Sequence, residues 1–552
     1  MLYFARFIII FLVIVVHNQI LAQNYTQQDS IRGTLNKYRS CYDVKFYDLF
    51  IMLDDIERSI ERSYNIMHVQ ANTNFDKIQI DLFENMEIMI IEFEDEILNF
   101  TKNKNASYIE FPRTIKKEEI ISLKIWFGGY PITAKNPPWD GGFTWSEDSN
   151  KAWVGVSCQG IGASLWWPCK DHQSDEPDSM RITISVRSPL NAISNGRLKR
   201  DTSYWSNYMN SWMNEYEWFV SYPINNYNVT LNVANYSSFE DILIRNEDTL
   251  DLSYYVLKKN LSIAKNHFKQ VKPIITCLEK YLGSYPFERD GFTLVETPYL
   301  GMEHQSCIAY GNNYQNGYNG NTKFIDNLEF DYIILHEAGH EWWGNSITTN
   351  DIADMWVHEG FCTYSEALFV ECYYGYEKML SYLKNQRKFI VNDKPIISDY
   401  GVNKQGSRDM YFKSALMLHT LRSLVDNDTL FFKMLLDINK DFKYRCIDGD
   451  ELINYIIDYL KIDLKLFFQQ YLTQSSLPEF NYKLEVTGKD VVLICNWNAM
   501  NGFDMPIKAS IGKKEDIWIN TSNKINEIKL GNIDVHDFRI RDDLFLISVK
   551  KM

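Results

Sequence analysis

The sequence lacks CxxC cysteine pairs, basic tracts, internal repeats and low-complexity segments, each of which would indicate a particular class of protein. Its 552 residues contain nine scattered cysteines and no CxxC pair, so neither a disulfide framework nor a structural zinc site is expected. No basic tract is present and the formal net charge is −15, which argues against a nucleic-acid or anionic-membrane partner. We find no internal repeat and no low-complexity linker. The remaining composition, 45% hydrophobic and 15% aromatic, can build roughly three domains of about 150 residues.

Only one long apolar run occurs, and it lies at the amino terminus. Residues 7–16 are ten consecutive apolar residues that follow the single charge of Arg6, and polar residues separate them from Ala22. A bilayer span needs about 20 such residues. The pattern predicts a cleaved signal peptide over residues 1–22, with an uncleaved anchor as the alternative. We therefore expect an exported protein (periplasmic, cell-surface or secreted) whose mature chain has no transmembrane span.

Hydrophobic patterns divide the mature chain into three regions, which together predict a multidomain α+β fold. Residues 23–238 alternate apolar and polar residues in short runs such as 180–186, typical of an antiparallel β domain. Residues 43–62 interrupt this region with a charged, helical-looking segment. Residues 239–475 are predominantly helical, and residues 476–552 return to strand patterns that predict a small β-sandwich. The helical windows lie at residues 250–282, 331–345, 357–374 and 410–425.

The cysteines are expected to be mostly small buried apolar residues. The alternative is a disulfide between Cys158 and Cys169, which would require an oxidising compartment.

The most informative segment is His336-Glu337-Ala338-Gly339-His340. Residues four apart lie on one face of a helix, so both imidazoles can reach a single metal ion. Glu337 lies close enough to contact a water at that metal without becoming a ligand, as in metalloproteases. By itself, the motif also fits a solvated helix with two unremarkable histidines.

A third ligand makes the metal site specific. Catalytic zinc usually takes three protein ligands and leaves one position open. Glu359 is separated from His340 by 18 residues and lies in an aromatic-flanked Glu-Gly-Phe segment. The neighbouring His358 competes for this role, but adjacent helix positions point about 100° apart. We predict one zinc ion per chain, held by His336, His340 and Glu359.

The spacing of these residues is similar to the gluzincin pattern of the M1 family of zinc aminopeptidases. Residues 336–345 (HEAGHEWWGN) resemble that family's zinc helix, and residues 354–366 (DMWVHEGFCTYSE) resemble its third-ligand helix. Residues 299–304 (YLGMEH) resemble its exopeptidase signature. Matching landmarks at Cys158-Gln159 and residues 166–171 (WWPCKD) precede them in order. The resemblance implies a thermolysin-like, mostly helical catalytic domain over residues 239–475.

The resemblance also implies roles in catalysis. Glu337 would be the general base, and Tyr411, in a Tyr-x-Lys context, matches the family's catalytic tyrosine. The alternative for Tyr411 is a tyrosine that packs in a core. Glu366 is expected to orient a ligand histidine.

Substrate recognition is implied at Gly301, Met302 and Glu303 in the exopeptidase signature, and at Gln159 in the first domain. Glu303 and Gln159 match positions that bind a free amino terminus, although Gln159 also fits a strand residue that satisfies a buried backbone group. Leu300 replaces the first glycine of the signature and His304 replaces its asparagine, so the subsite is expected to differ in shape.

Together these features predict an exported zinc aminopeptidase acting on peptides with a free amino terminus. The alternatives are a bifunctional aminopeptidase and epoxide hydrolase, and an inactive peptide-binding scaffold. A thermolysin-like endopeptidase is disfavoured, because an anchor for the amine at Glu303 blocks internal peptides. The sequence indicates no particular oligomeric state.

Overall fold

The computed structural model describes residues 25–245, 248–512, 514, 516–521 and 524–552. The predicted signal peptide over residues 1–22 lies outside them. Along the described chain, a β-rich region is followed by a mainly helical region and then by a second, smaller β region. This confirms the predicted fold class. Among the described residues, no helix is long and apolar enough to cross a membrane.

The first region begins with two short helices and continues as sheets. The largest sheet has eight strands in the order β13-β14-β11-β1-β2-β8-β4-β5, and smaller sheets have the orders β12-β15-β10-β9 and β3-β7-β6. Neighbouring strands are antiparallel except β1 and β11. The elements are α1 (Gln27–Gly33), α2 (Lys37–Ser40), β1 (Tyr42–Asp54), β2 (Ser59–Ala71), β3 (Phe75–Asp81), β4 (Met86–Phe93), β5 (Glu96–Ile97), β6 (Phe100–Asn103), β7 (Ala106–Ile115), β8 (Ile120–Gly129), β9 (Gly142–Asp148), β10 (Lys151–Ser157), β11 (Ser179–Arg187), β12 (Asn191–Ile193), β13 (Arg197–Ser206), β14 (Ser211–Val220) and β15 (Asn232–Ala234).

The helical interpretation of residues 43–62 is wrong, because these residues form most of β1 and the start of β2. Buried and less buried positions alternate along both strands, as expected for one face on a core. The pairing of β1 with β2 shifts register between Val44 and Phe46, and again between Phe50 and Met52. Each irregularity interrupts the period of two that would have indicated a strand.

The middle region combines a five-stranded sheet, in the order β16-β17-β18-β20-β19, with helices that cover the predicted metal-binding segment. The predicted boundary between residues 238 and 239 falls inside its first strand. The elements are β16 (Tyr236–Ile244), β17 (Thr249–Leu257), α3 (Leu261–His267), α4 (Val271–Leu282), β18 (Phe292–Glu296), β19 (Gly301–Met302), β20 (Ile308–Tyr310), α5 (Tyr332–Gly339), β21 (Ile347–Thr349), α6 (Trp356–Tyr374), α7 (Tyr376–Gln386), α8 (Phe412–Val425), α9 (Asp428–Asp441), β22 (Arg445–Ile447), α10 (Gly449–Leu460) and α11 (Lys465–Thr473).

Two of the four helical windows are shorter than predicted. Residues 249–257 form strand β17, in which Leu250, Leu252 and Tyr254 are buried at every second position, so the helix begins only at Leu261. Helix α5 ends at Gly339, and residues 340–345 continue as turns.

The last region has two sheets, in the orders β27-β24-β23-β29 and β26-β25-β28. Its buried residues belong to the same core as those of the helical region, a single cluster with members between Leu243 and Ile547. The strands are β23 (Glu479–Thr487), β24 (Asp490–Asn498), β25 (Ile507–Ile511), β26 (Ile517–Ile519), β27 (Asn526–Gly531), β28 (Phe538–Ile540) and β29 (Ser548–Lys551).

A second core fills the first region, and it includes part of the exopeptidase-like segment. Val295, Tyr299, Met302, Cys307 and Ala309 all pack in that core, although they belong to the middle of the chain. Helix α5 packs instead in the core of the helical region. The residues around Glu303 therefore lie where the two cores meet.

One disulfide joins Cys277 in α4 to Cys372 at the end of α6, and the sequence analysis did not identify it. The alternative pairing of Cys158 with Cys169 is wrong, since both are free and buried. The disulfide connects the helix that carries Glu359 to a helix 95 residues distant in sequence.

Removing this disulfide should destabilise the helical region. A closed loop of this length restricts the unfolded chain, which corresponds to about 2–4 kcal/mol for a typical disulfide. We expect the double variant Cys277→Ser/Cys372→Ser to unfold at a lower urea concentration than the wild type, measured by circular dichroism. Cys446→Ser, which removes a partly buried free thiol, is the control. Equal midpoints for the double variant and the wild type would contradict a stabilising role.

Candidate active site

Helix α5 carries His336, and His340 is the cap residue directly after its last turn. Asp331 caps the helix by accepting hydrogen bonds from the backbone N–H groups of Ile333 and Ile334. The same buried carboxylate accepts from the hydroxyl of Tyr310 at 2.7 Å and from the side-chain amide of Asn312 at 2.8 Å. The helix start is thus tied to the five-stranded sheet and the loop that follows it.

The two imidazoles converge with Glu359 on one point. The Nε2 atoms of His336 and His340 are 3.3 Å apart, and Glu359 Oε2 lies 3.7 Å from the first and 3.4 Å from the second. Three ligand atoms about 2.0–2.1 Å from a tetrahedral zinc ion lie about 3.3–3.4 Å from one another. Glu359 Oε2 is buried and has no hydrogen-bond partner among the described residues. The three atoms therefore fit a zinc ion.

The two competing candidates, His358 and Cys362, make other hydrogen bonds. His358 Nε2 instead accepts a hydrogen bond from the backbone N–H of Thr349 at 3.0 Å, and burial lowers the pKa of His358 to about 3. Cys362 lies near both histidines, but its thiol donates to the backbone carbonyl of His336 at 2.9 Å. Its sulfur lies 3.8 Å from Nδ1 of His336.

Hydrogen bonds at the Nδ1 atoms orient both imidazoles. Glu366 Oε1 lies 2.7 Å from Nδ1 of His336, as the sequence predicts for an orienting carboxylate. The other oxygen of Glu366 accepts from the hydroxyl of Tyr382 at 2.6 Å and the amide of Gln386 at 2.9 Å. The Nδ1 atom of His340 lies 2.8 Å from the carbonyl oxygen of Trp343. Donation from Nδ1 leaves the Nε2 lone pairs free for a metal.

Sequence reasoning missed Tyr382 and Gln386, which hold Glu366 from helix α7. Their spacing of four residues is the only signal they carry, and it is common to any helix.

Glu337 lies buried beside the converging atoms. Burial raises the pKa of its carboxyl group to about 7, although His336 opposes the shift. One ligand atom from each of Glu337, Glu303 and His340 lies within 4.8 Å of the others. Gly301 passes directly over this carboxylate: a Cβ at that position would lie 2.9 Å from Glu337 Oε1. Gly301 thus leaves the space that Glu337 occupies.

Glu303 and Gln159 meet next to the same centre, although they come from different regions of the chain. The amide of Gln159 donates to Glu303 Oε1 at 2.5 Å and lies 3.4 Å from Glu359 Oε1. Asn345 holds the segment by donating to the backbone carbonyl of Glu303 at 2.8 Å. Burial raises the pKa of Glu303. Because the Gln159 amide hydrogens face carboxylates, its carbonyl oxygen is left to accept a hydrogen bond from a cation.

Residues adjacent to Glu303 complete this part of the site. Met302 is buried in the core of the first region. Leu300, which replaces the first glycine of the exopeptidase signature, packs against the core of the helical region. His304 is fully buried, and neither of its ring nitrogens has a hydrogen-bond partner among the described residues. Burial lowers the pKa of His304 to about 3, so its ring is neutral.

Tyr411 closes the site from the start of helix α8. The centroid of its ring lies 6.1 Å from that of His336, and the two ring planes are inclined by 29°. Burial, together with the charges of Glu359 and Glu303, raises the pKa of Tyr411 well above its ordinary value. The hydroxyl therefore stays protonated and can donate a hydrogen bond.

The chain is similar to known peptidases. Residues 267–471 match the family model of the peptidase family M1 domain. Probable aminopeptidase 1 of Sulfurisphaera tokodaii is 22% identical over 287 residues, which cover 47% of this chain and 36% of that protein. Human endoplasmic reticulum aminopeptidase 2 is 27% identical over 137 residues, or 23% of this chain and 14% of that protein. The chain thus spans little more than a third of the first relative.

Solved structures show the same fold over most of the chain. The M1 zinc metallopeptidase from Deinococcus radiodurans has a TM-score of 0.66 at 19% identity, over 79% of this chain and 95% of that one. A mutant of that enzyme bound to a Tyr-Ser-Ala substrate has a TM-score of 0.65 at 18% identity, over 80% and 96% of the two chains. The resemblance inferred from the sequence is confirmed. Residues 267–471 of this chain thus form a peptidase family M1 domain, within a fold that the M1 zinc metallopeptidase structure shares.

Proposed function

We propose that this protein is a zinc-dependent aminopeptidase that removes the first residue of peptides with a free amino terminus. The observation that carries the proposal is the juxtaposition of two groups. The Nε2 atoms of His336 and His340 converge with Glu359 Oε2, and the Gln159–Glu303 pair lies beside them. The first group suits a metal ion and the second suits the ammonium group of a substrate.

His336, His340 and Glu359 would hold one zinc ion. Bound zinc would supply a positive charge that polarises the scissile carbonyl and lowers the pKa of a water molecule to about 7. Glu366 and the Trp343 carbonyl keep the ligand imidazoles oriented for this task.

Glu337 would transfer the proton, and Tyr411 would stabilise the charge that develops on the substrate. Glu337 accepts the proton of the attacking water and passes it to the leaving amine. Tyr411, protonated because burial raises its pKa, donates to the oxyanion that develops on the carbonyl oxygen.

Glu303 and Gln159 determine where the peptide is cut. The free α-amino group has a pKa near 8 and is largely cationic at neutral pH. Glu303 provides a carboxylate for it and Gln159 a carbonyl oxygen. An ammonium held there would place the first peptide bond beside Glu337 and His340.

We also propose that the protein is exported. The apolar run over residues 7–16 supports a signal peptide, and the Cys277–Cys372 disulfide supports an oxidising compartment.

The third-ligand assignment is tested by metal analysis. Glu359→Ala should lose both the zinc and the activity, because two imidazoles alone leave a site with one protein ligand too few. His358→Gln is the matched control: it alters the adjacent residue, which does not face the site, and should keep one zinc per chain. Full zinc occupancy in dialysed Glu359→Ala would show that another group is the third ligand.

The general base and the tyrosine are tested by steady-state kinetics. Glu337→Gln should keep the zinc and lower kcat by about 10²–10⁴-fold, which corresponds to roughly 3–5 kcal/mol of barrier. Tyr411→Phe should lower kcat more than it raises KM, since its hydrogen bond belongs to the transition state. Activity of Glu337→Gln within about threefold of the wild type would assign water activation elsewhere, and a pure KM effect would make Tyr411 a binding residue.

Exopeptidase specificity is tested with paired substrates that differ by an amino-terminal acetyl group. Acetylation removes the cation and leaves Glu303 buried and unpaired, so acetylated peptides should react at least about a hundredfold more slowly. Glu303→Ala should impair the free-amine substrates severely and barely change the acetylated ones. Equal kcat/KM for both substrates in the wild type would contradict the aminopeptidase assignment while leaving the metal site intact.

A further inference from the structure

Gln159 lies in a turn that has little support of its own. The turn follows β10, and Gly160 and Gly162 have φ values of 76° and 104°, a region that glycine adopts readily. Its internal hydrogen bonds join Gly162 N–H to the Cys158 carbonyl at 2.7 Å and Ile161 N–H to the Gln159 carbonyl at 2.9 Å. The position of the Gln159 side chain therefore depends on what holds this turn from outside.

Two residues distant in sequence hold the turn through one atom. The carbonyl oxygen of Gly160, directly after Gln159, accepts hydrogen bonds from Nη1 of Arg32 and from Nδ2 of Asn403, the latter at 3.0 Å. Arg32 comes from helix α1, and Asn403 precedes Tyr411 by eight residues. A charged donor makes the stronger of two such bonds.

The Arg32 side chain is itself fixed under the turn. Its Nε atom lies 3.4 Å from Asp171 Oδ2, and the two side chains are 14% and 6% exposed. The same carboxylate oxygen accepts from the hydroxyl of Ser164 at 2.5 Å. Gly162 makes room for this pair, because a Cβ there would lie 2.2 Å from Asp171 Oδ2 and 2.4 Å from Arg32 Cζ.

Helix α1 is in turn anchored at both ends. A capping box formed by Thr26 and Asp29 closes its amino terminus, and the carbonyl of Asp29 accepts from the backbone N–H of Asn403 at 3.0 Å. At the other end, buried Arg39 donates to the carbonyl of Arg32 at 2.6 Å and pairs with Asp81. The helix thus bridges the first region and the segment that leads to Tyr411.

Polar contacts, and not close packing, hold the turn on this side. A cavity of about 30 Å³, which is room for about two water molecules, is lined by Arg32, Gln159, Tyr227 and Asn403. Loss of the Arg32 contact would leave Gly160 facing this space.

We propose that Arg32 is a positioning residue for amino-terminus recognition: through the Gly160 carbonyl it holds Gln159 where the side chain meets Glu303 and the substrate ammonium. This inference rests on the proposed function and extends it to the amino-terminal helix. Arg32 acts on the site through Gln159, whose amide donates to Glu303 at 2.5 Å and lies 3.4 Å from Glu359 Oε1. Because the shorter contact is to Glu303, we expect the main effect on substrates that carry the ammonium group.

The test compares Arg32→Ala with Arg113→Ala in the zinc-loaded, full-length enzyme. Arg113 is an exposed arginine that pairs with Glu94 and Glu119 on the first region, and its removal controls for the loss of an ion-paired arginine. We expect Arg32→Ala to lower kcat/KM for a free-amine peptide about tenfold, mainly through KM, and to leave the acetylated peptide unchanged. Zinc content should be unchanged, and Arg113→Ala should behave as the wild type.

Asn403→Ala provides a second variant that keeps the Arg32–Asp171 pair and should shift selectivity in the same direction by a smaller factor. If Arg32→Ala proves unstable in thermal unfolding, the selectivity of Asn403→Ala decides whether contacts to the Gly160 carbonyl position Gln159. Equal losses on both substrates would overturn the inference, as would wild-type selectivity in both variants. A wild type that does not discriminate between the substrates would instead overturn the aminopeptidase proposal, and this inference with it.

Discussion

The structure depends on three buried glutamate side chains that lie close together and whose negative charge calls for a cation. Glu303, Glu337 and Glu359 are 4%, 6% and 2% exposed, and they lie around two imidazoles. Buried carboxylates are costly unless they are paired or coordinate a metal. Burial raises the pKa of Glu337 to about 7, whereas His340 and His336 outweigh burial at Glu359 and lower its pKa. A zinc ion at the two Nε2 atoms and a substrate ammonium at Glu303 would supply the missing positive charges.

The site forms where the core of the first β region meets the core of the helical region. Helix α5 with its cap residue His340, and helix α6, bring the proposed metal ligands from the helical region, and the turn after β10 brings Gln159 from the first β region. Met302 packs in the core of the first region, although its strand β19 belongs to the five-stranded sheet of the middle region. The distance between Gln159 and the metal ligands is therefore set by the packing of the two regions against each other.

The convergence of His336, His340 and Glu359 could be predicted from the sequence because their geometry is local or nearly so. His336 and His340 share one helix face, and Glu359 lies on a helix that packs directly against it. Glu303 and Gln159 could be identified only through the family resemblance, since 144 residues separate them. Arg32, Tyr382 and the Cys277–Cys372 disulfide carry no comparable signal, because tertiary packing alone brings them into place.

Errors in the fold prediction have the same origin. The strands over residues 43–62 looked helical because shifts in register break their alternation, and β17 was assigned to a helix because the helical pattern begins immediately after it. In both places, pairing with strands distant in sequence decides the conformation.

Zinc-edge X-ray absorption spectroscopy of the purified protein tests the central claim most directly, since it counts the ligand atoms and measures their distances. The structure predicts nitrogen and oxygen ligands only, at about 2.0–2.1 Å, from two imidazoles, one carboxylate and solvent. A sulfur ligand at about 2.3 Å would place Cys362 at the metal and contradict the assignment of Glu359.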